Sequence, residues 1–284
     1  MITKLMKYGR MNQIVVVAGK GKGIMIVSEV FEWKQQAESW IREAADYIRW
    51  QMHQQLDIKT KEHRNDLVTH VDEGVESFFI ERLKSVYPDH RIMGEEGSFK
   101  EINDLDGVVW ILDPIDGTMN FVHQKKFFAV SLGIYVGGKP AAGLVYDVMA
   151  DEMYTAVSGY GAYLNGKQLP QLTYTPLENI VMSVNNGWIA KDDHLKQLVT
   201  QVRGSRSYGV ASLEMAFVAS GSLDAYVSFN LAPWDVAAGI ILLQETGGLT
   251  SNLQGEPLSL LKKDSLIAAS PSVHEELLKW KIGR

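Results

Sequence analysis

A near-continuous apolar run, Val108 to Leu112, has the character of a strand buried on both faces, and an aspartate sits at its exit. The stretch reads Trp110-Ile111-Leu112-Asp113-Pro114-Ile115-Asp116-Gly117-Thr118. Pro114 pins the backbone, and a second aspartate follows three positions after the first. Strand exits are where α/β proteins place ligands. Two carboxylates on one tight turn make a hard oxygen-ligand set suited to Mg²⁺. Gly117 lets a phosphate approach the backbone, and Thr118 to Phe121 predicts the start of a short helix whose free N–H groups point at that phosphate. Taken alone, the Asp-Pro and Asp-Gly pairs fit a surface turn equally well.

Two further segments shift that balance. Gly94-Glu95-Glu96-Gly97 puts paired glutamates at a second strand exit, between glycines that free the backbone. Pro233-Trp234-Asp235 opens an apolar helical run, Val236 to Leu243, where an aspartate serves either as a cap or as a ligand. Three carboxylate-bearing segments at strand exits and helix starts of one apolar core would cost several kcal/mol without a compensating cation. A Mg²⁺ site supplies one.

Competing motifs fit poorly. Haloacid-dehalogenase-type phosphatases space their two aspartates by two and follow them with threonine, whereas here the spacing is three with proline after the first. Gly19-Lys20-Gly21-Lys22-Gly23 lacks the spacing and the Lys-Ser/Thr ending of a phosphate-binding loop of the Walker type, and reads as a flexible basic tail.

The elements that must position these groups follow from periodicity. Helical patterns are predicted over 28–56 and from Asp72 to Tyr87, the second stopped by Pro88. Arg91–Met93 and Val108–Leu112 read as strands. Phe128–Val136, Gly143–Val148 and Met153–Val157 then form a meander turning at Gly137-Gly138 and Ala150-Asp151, continued by Tyr160–Leu164. The second half alternates: strand Ile180–Val184, helices Asp192–Val202 and Ser212–Ala219, strand Leu223–Val227, helix Trp234–Thr246, strand Leu266–Ala269 and a final helix. Such mixing predicts a layered α/β or α+β architecture.

With 284 residues the chain is long enough for one large domain or two packed halves. We read residues 1–24 as an N-terminal extension and 25–284 as one catalytic domain, its halves near 25–170 and 171–284. The net charge of −6 favours no polyanionic nucleic acid partner, and the lack of cysteine excludes disulfides, thiolate zinc sites and a cysteine nucleophile. No apolar stretch approaches the roughly 20 residues that span a bilayer, and Lys20 and Lys22 interrupt the short run Ile14–Ala18 that would otherwise suggest a leader. No membrane association is expected, and a cytoplasmic location is.

These residues resemble the inositol monophosphatase family of Mg²⁺-dependent, lithium-sensitive phosphatases, in its bacterial branch. Gly94-Glu95-Glu96, Asp113 to Thr118 with Asn120-Phe121, and Trp234-Asp235-Val236-Ala237-Ala238-Gly239 carry the resemblance, and Asp66-Leu67-Val68-Thr69 with Asp72 and Glu76 adds to it. It extends from about residue 30 to the end. It implies a layered αβαβα sandwich, a homodimer, and two to three Mg²⁺ ions. Glu95, Asp113 and the Ile115 carbonyl would hold the first ion; Asp113, Asp116 and Asp235 the second; a weaker third would sit near Glu95. Gly117 and Thr118 N–H groups would cradle the phosphate, and Asp72 with the Thr118 hydroxyl, assisted by Glu95, would activate the attacking water. Lys61 matches a family lysine near the metal loop.

The same resemblance places the substrate, a small phosphorylated metabolite, against Ile115, Asp116, Gly117, Thr118, Asp235 and the sugar-facing loop Gly209-Val210-Ala211. Seven residues before Asp235 the animal inositol enzymes carry a glutamate, and here the residue is Ser228. Serine is no charged bidentate acceptor. Inositol monophosphate is therefore one expected substrate beside NADP(H) 2′-phosphate and fructose 1,6-bisphosphate. A Mg²⁺-binding scaffold without turnover is the expectation of another class. Arg206, ahead of the loop, reads as a contact for a second anion or as a structural ion pair.

Overall fold

The computed structural model describes residues 14–15, 25–60, 67–97 and 102–283. Lys61 and Asp66 lie outside the described residues, as do all of residues 1–24 except Ile14 and Val15.

A short ribbon, β1 (Ile14–Val15) with β2 (Met25–Ile26), precedes α1 (Val27–Gln51). The apolar stripe of α1 runs through Val30, Trp33, Ala37, Trp40, Ile41, Ala44 and Ile48. Beyond Met52 the stripe lapses into His53-Gln54-Gln55, so the helix stops well short of residue 56, where the spacing had carried it. The chain then forms an antiparallel pair, β3 (Ile58–Thr60) and β4 (Leu67–Thr69), that feeds α2 (His70–Val86).

Seven strands make the first sheet. In chain order they are β5 (Arg91–Gly94), β6 (Val108–Asp116), β7 (Ala129–Val136), β8 (Lys139–Asp147), β9 (Glu152–Val157), β10 (Ala162–Leu164) and β11 (Lys167–Gln168), and in space they neighbour in that same order. The short helix α3 (Thr118–His123) links β6 to β7. β5 and β6 are parallel, and the rest is an antiparallel meander. Alternate residues of β6 serve different layers. Trp110 and Leu112 pack with α1 and α2, while Val109 and Ile111 pack with the helices on the other face. This two-sided burial explains the unbroken apolar runs.

The second sheet has strand order β13-β12-β14-β16-β15. Its members are β12 (Val181–Val184), β13 (Gly204–Arg206), β14 (Ala225–Leu231), β15 (Leu249–Ser251) and β16 (Asp264–Ala269). Between the two sheets lie α6 (Ala211–Ser220) and α7 (Pro233–Glu245), apolar on nearly every side because both of their faces are covered. On the outer face of the second sheet sit α5 (Asp193–Gln201) and α8 (Pro271–Lys279), with the small helix α4 (Asn186–Ile189) before them. The layers are thus α1/α2, sheet, α6/α7, sheet, α5/α8: an αβαβα sandwich.

Missing side chains set how closely α7 approaches. A Cβ on Gly133 of β7 would fall 2.8 Å from the Ala237 Cβ, one on Gly143 of β8 2.7 Å from the Ala238 carbonyl oxygen, and one on Gly239 2.6 Å from the Met215 Cβ of α6. The small-residue run after Trp234-Asp235 is therefore a docking surface, and it places the N-terminus of α7 beside the exit of β6.

Candidate active site and metal centre

β6 does not end at Leu112, as its sequence suggested. It continues through the aspartates to Asp116, which pairs with Ala129, with a shift of register between Asp113 and Asp116. Pro114 has no N–H to give the ladder, so the strand passes it as a bulge. The bulge turns both carboxylates to one place. Asp113 Oδ1 accepts the Ile115 N–H at 3.1 Å, and Asp116 Oδ2 accepts the N–H of Ser212, in the first turn of α6, at 2.6 Å. Asp235, in the first turn of α7 behind Pro233, accepts the Ala232 N–H at 2.6 Å. The cap and ligand readings of Asp235 are thus compatible, since one oxygen closes the helix start while the carboxylate stays within the cluster. Ligand oxygens of Asp113, Asp116 and Asp235 all lie within 4.8 Å of one another.

The fourth expected carboxylate, Glu95, sits in the turn after β5, half-buried. Its charge registers on Asp113, Asp116 and Asp235, so it borders the same cluster without joining the compact trio. Asp72 is buried near the start of α2. Its Oδ2 accepts the Thr69 N–H at 2.9 Å and the Thr69 hydroxyl at 2.5 Å, closing a capping box. Its Oδ1 faces the Thr118 hydroxyl at 3.0 Å, which also lies 3.0 Å from the Ile115 carbonyl oxygen. Asp72, Thr118 and the Ile115 carbonyl therefore meet as the motifs implied.

Gly117 caps α3 with φ +89°, and a Cβ there would lie 2.7 Å from Val210 Cγ2 and 3.1 Å from the Phe127 carbonyl oxygen. Glycine is required twice over, by conformation and by space. The same contact ties the Asp113–Thr118 segment to Gly209-Val210-Ala211. Asn120 strengthens that link, its Nδ2 donating to the carbonyls of Phe127 and Tyr208, both at 2.8 Å. Arg206 is exposed and donates to the neighbouring Ser205 carbonyl.

The electrostatics are those of a cation site. Burial pushes Asp113 well above the usual carboxylate range, and the charges of Glu95, Asp116, Asp235 and Asp72 push it further. Burial raises Asp116 to about 7 against the Ser212 hydrogen bond, with Glu214 and Glu95 adding. Asp235 is raised by burial and by Asp116, and Lys263 pulls it partly back. Asp72 is raised by burial, opposed by its Thr69 and Thr118 hydrogen bonds. Carboxylates that raise one another in a dry site, each fixed by a backbone N–H, have the donor set and preorganisation a divalent ion takes up.

Sequence reasoning missed Ser212, Glu214, Tyr226 and Lys263. Glu214 is a lone acid in an otherwise apolar helix, and only the fold shows that it is buried, at 3% exposure. Ser212 acts through its backbone, which no residue type announces.

Comparison with known proteins agrees with this geometry. The model of the inositol monophosphatase family matches residues 29–281. Inositol-1-monophosphatase of Bacillus subtilis is 48% identical over 248 residues, covering 86% of this chain and 94% of that protein. The Nus factor SuhB of Escherichia coli K12 is 35% identical over 220 residues, 75% of this chain and 82% of that one. Among solved structures, 2′AMP-bound SaIMPase-II superposes with a TM-score of 0.81 at 41% identity, covering 87% of this chain and 93% of that one, and that protein is also solved with inositol monophosphate. An IMPase/NADP phosphatase complexed with Mg²⁺ and phosphate reaches a TM-score of 0.83 at 30% identity, covering 89% and 95%. With its layered fold, its acidic centre and these relatives, the chain belongs to the inositol monophosphatase family, a family of phosphoric monoester hydrolases.

Proposed function

We propose that this protein hydrolyses a small phosphate monoester with Mg²⁺, at the site where Asp113, Asp116 and Asp235 converge. The observation that carries this reading is their packing within 4.8 Å at one buried strand exit, each anchored on a backbone N–H. Glu95, Asp113 and the Ile115 carbonyl would hold one ion, and Asp113, Asp116 and Asp235 a second; a third, weaker ion would border Glu95. When bound, the ions neutralise phosphate charge, lower the pKa of water and stabilise the departing alcohol oxygen.

The chain's own residues supply position and proton handling. Gly117 and Thr118 N–H groups hold phosphate oxygens, and the Gly209-Val210-Ala211 loop borders the alcohol. Thr118 donates its hydroxyl proton to Asp72 Oδ1, which leaves the Thr118 oxygen to accept a proton from the attacking water. Burial raises Asp72, which makes it the stronger acceptor. As the water oxygen bonds to phosphorus, the phosphorus–oxygen bond to the alcohol breaks in line.

Inositol monophosphate, a 2′-phosphorylated nucleotide such as NADP(H), and fructose 1,6-bisphosphate are the substrates to compare, because Ser228 stands where a charged acceptor would select inositol. We further read the protein as one catalytic domain over 25–284, a cytoplasmic homodimer, and inhibited by lithium. Phosphate release from these three esters, with Mg²⁺ and with EDTA, tests the reading. EDTA-sensitive release supports it, and release unaffected by EDTA contradicts it. A scaffold without turnover predicts Mg²⁺ binding and no phosphate from any ester.

A further inference from the structure

The three carboxylates of the compact trio are not held alike. Asp116 accepts the Ser212 N–H and Asp235 the Ala232 N–H, each at 2.6 Å. Among the described residues Asp113 is held by one hydrogen bond, from the Ile115 N–H of its own bulge, at 3.1 Å. The carboxylate assigned to both ions thus has the weakest restraint.

A donor for it lies one strand away. Among the described residues, two buried side-chain oxygens have no hydrogen-bond partner, Ser131 Oγ and Ser212 Oγ. Ser212 already serves the centre through its N–H. Ser131, fully buried on β7, has no place in the chemistry described so far. Register sets it directly opposite Asp113 of β6, with Val145 of β8 on its other side.

The strand period turns both residues to the same layer. Along β7, Val130 and Leu132 pack with α1 and α2, whereas Ala129 packs with α6 and α7, and Gly133 lies against Ala237. Ser131 falls in phase with Ala129 and Gly133. On β6, Val109 and Ile111 face that layer, and Asp113 follows them in phase. Residues directly opposite in an antiparallel pair have Cβ atoms about 4.5–5.5 Å apart. Rotation about the single serine χ1 then swings the hydroxyl toward the carboxylate. Ala129, Gly133 and Val145 offer its oxygen no side-chain donor or acceptor, so Asp113 is the polar neighbour that register supplies.

We propose that Ser131 is a positioning residue for the metal centre: its hydroxyl donates to Asp113 and fixes the rotamer from which that carboxylate ligates. An ionised carboxylate only accepts, and lone pairs turned away from an ion call for donors around the site. A buried hydroxyl without a partner is costly, so its retention at this register position needs a reason.

This inference rests on the Mg²⁺ reading of the site, and the test separates the two. Mg²⁺ binding is measured by titration calorimetry on the full chain after EDTA treatment and dialysis, with thermal melts of the same samples. The proteins are wild type, Ser131→Ala, Ser131→Thr and Ser131→Val. Threonine keeps the hydroxyl and valine matches its shape without it, so comparing the two cancels any overpacking by the added methyl. Ser131→Ala is expected to weaken Mg²⁺ binding roughly tenfold, the scale of removing a partner of a metal ligand. Ser131→Val should likewise bind roughly tenfold more weakly than Ser131→Thr. The hydroxyl has no partner to lose, so Ser131→Ala should not lower the Tm measured without Mg²⁺. A packing role alone predicts the reverse, a lower Tm without Mg²⁺ and unchanged affinity. That pattern, or equal affinities of the threonine and valine variants, would overturn the proposal. If Ser131→Ala fails to fold, the threonine and valine pair decides. Absence of Mg²⁺ binding by the wild type would instead overturn the metal reading, and the proposal with it.

Discussion

Three carboxylates of the acidic centre also close helix starts. Asp72 closes α2, Asp235 closes α7, and Asp116 caps α6 from a different segment through the Ser212 N–H. Helix starts favour negative charge, so three helices help hold like charges together before any ion arrives. Replacing Asp116 by Asn is expected to lower kcat by at least about a hundredfold, the scale of a principal electrostatic contributor, as measured by phosphate release under saturating Mg²⁺. The pKa shifts give a second outcome. A carboxyl whose folded pKa exceeds its unfolded value of about 4 stabilises the fold fully below that value and loses the effect as pH rises. For Asp116 this loss runs up through about 7. Metal-free protein should therefore lose thermal stability from about pH 5 to about pH 8, and the rise in Tm on adding Mg²⁺ should be larger at the upper end, because ligands bind metal deprotonated. A Mg²⁺ increment that shrinks with rising pH would contradict this. Asp113, Asp116 and Asp235 were legible in the sequence because their spacing and flanks are specific. Ser212 and Glu214 were not, since a backbone donor carries no signature and a lone acid in an apolar helix is equally a surface residue until the fold buries it.

At the scale of elements, the centre depends on how closely α7 and α6 pack against the first sheet. Gly239→Ala places a methyl 2.6 Å from the Met215 Cβ, which cannot rotate away. The expected result is a loss of about 1–3 kcal/mol in denaturant unfolding, the usual size of overpacking, together with weaker Mg²⁺ affinity as Asp235 shifts. Gly117→Ala combines a methyl 2.7 Å from Val210 with an unfavourable positive φ, so its activity should fall more than its stability. Steady-state kinetics beside thermal melts check that contrast. The long, strongly patterned elements were readable: α2, β7, β8 and α7 followed from periodicity and turn residues, as did a layered α/β or α+β arrangement, whereas the αβαβα order came from the family resemblance. Pro114 and the flanking aspartates predict a tight turn from Asp113 to Asp116, whereas the bulge carries the strand through. Short strands such as β3, β13 and β15 escaped because three residues give no period to read.

The whole molecule joins two sheets through one helical layer, and the acidic centre lies where the first sheet, α6 and α7 meet. Among the described residues no helix is long and apolar enough to cross a membrane. If residues 25–284 form the catalytic domain, removing residues 1–24 should leave a single cooperative melt and near wild-type phosphate release; loss of the fold would contradict that division. The central claim is that Asp113, Asp116 and Asp235 make one Mg²⁺ site that hydrolyses a phosphate ester. Its most direct test is phosphate release from inositol 1-phosphate by the purified protein, after EDTA treatment and again after Mg²⁺ is restored. Release should disappear with EDTA, return with Mg²⁺, and in Asp116→Asn with Mg²⁺ fall at least about a hundredfold. Release that persists in EDTA, or undiminished release by Asp116→Asn, would contradict the central claim.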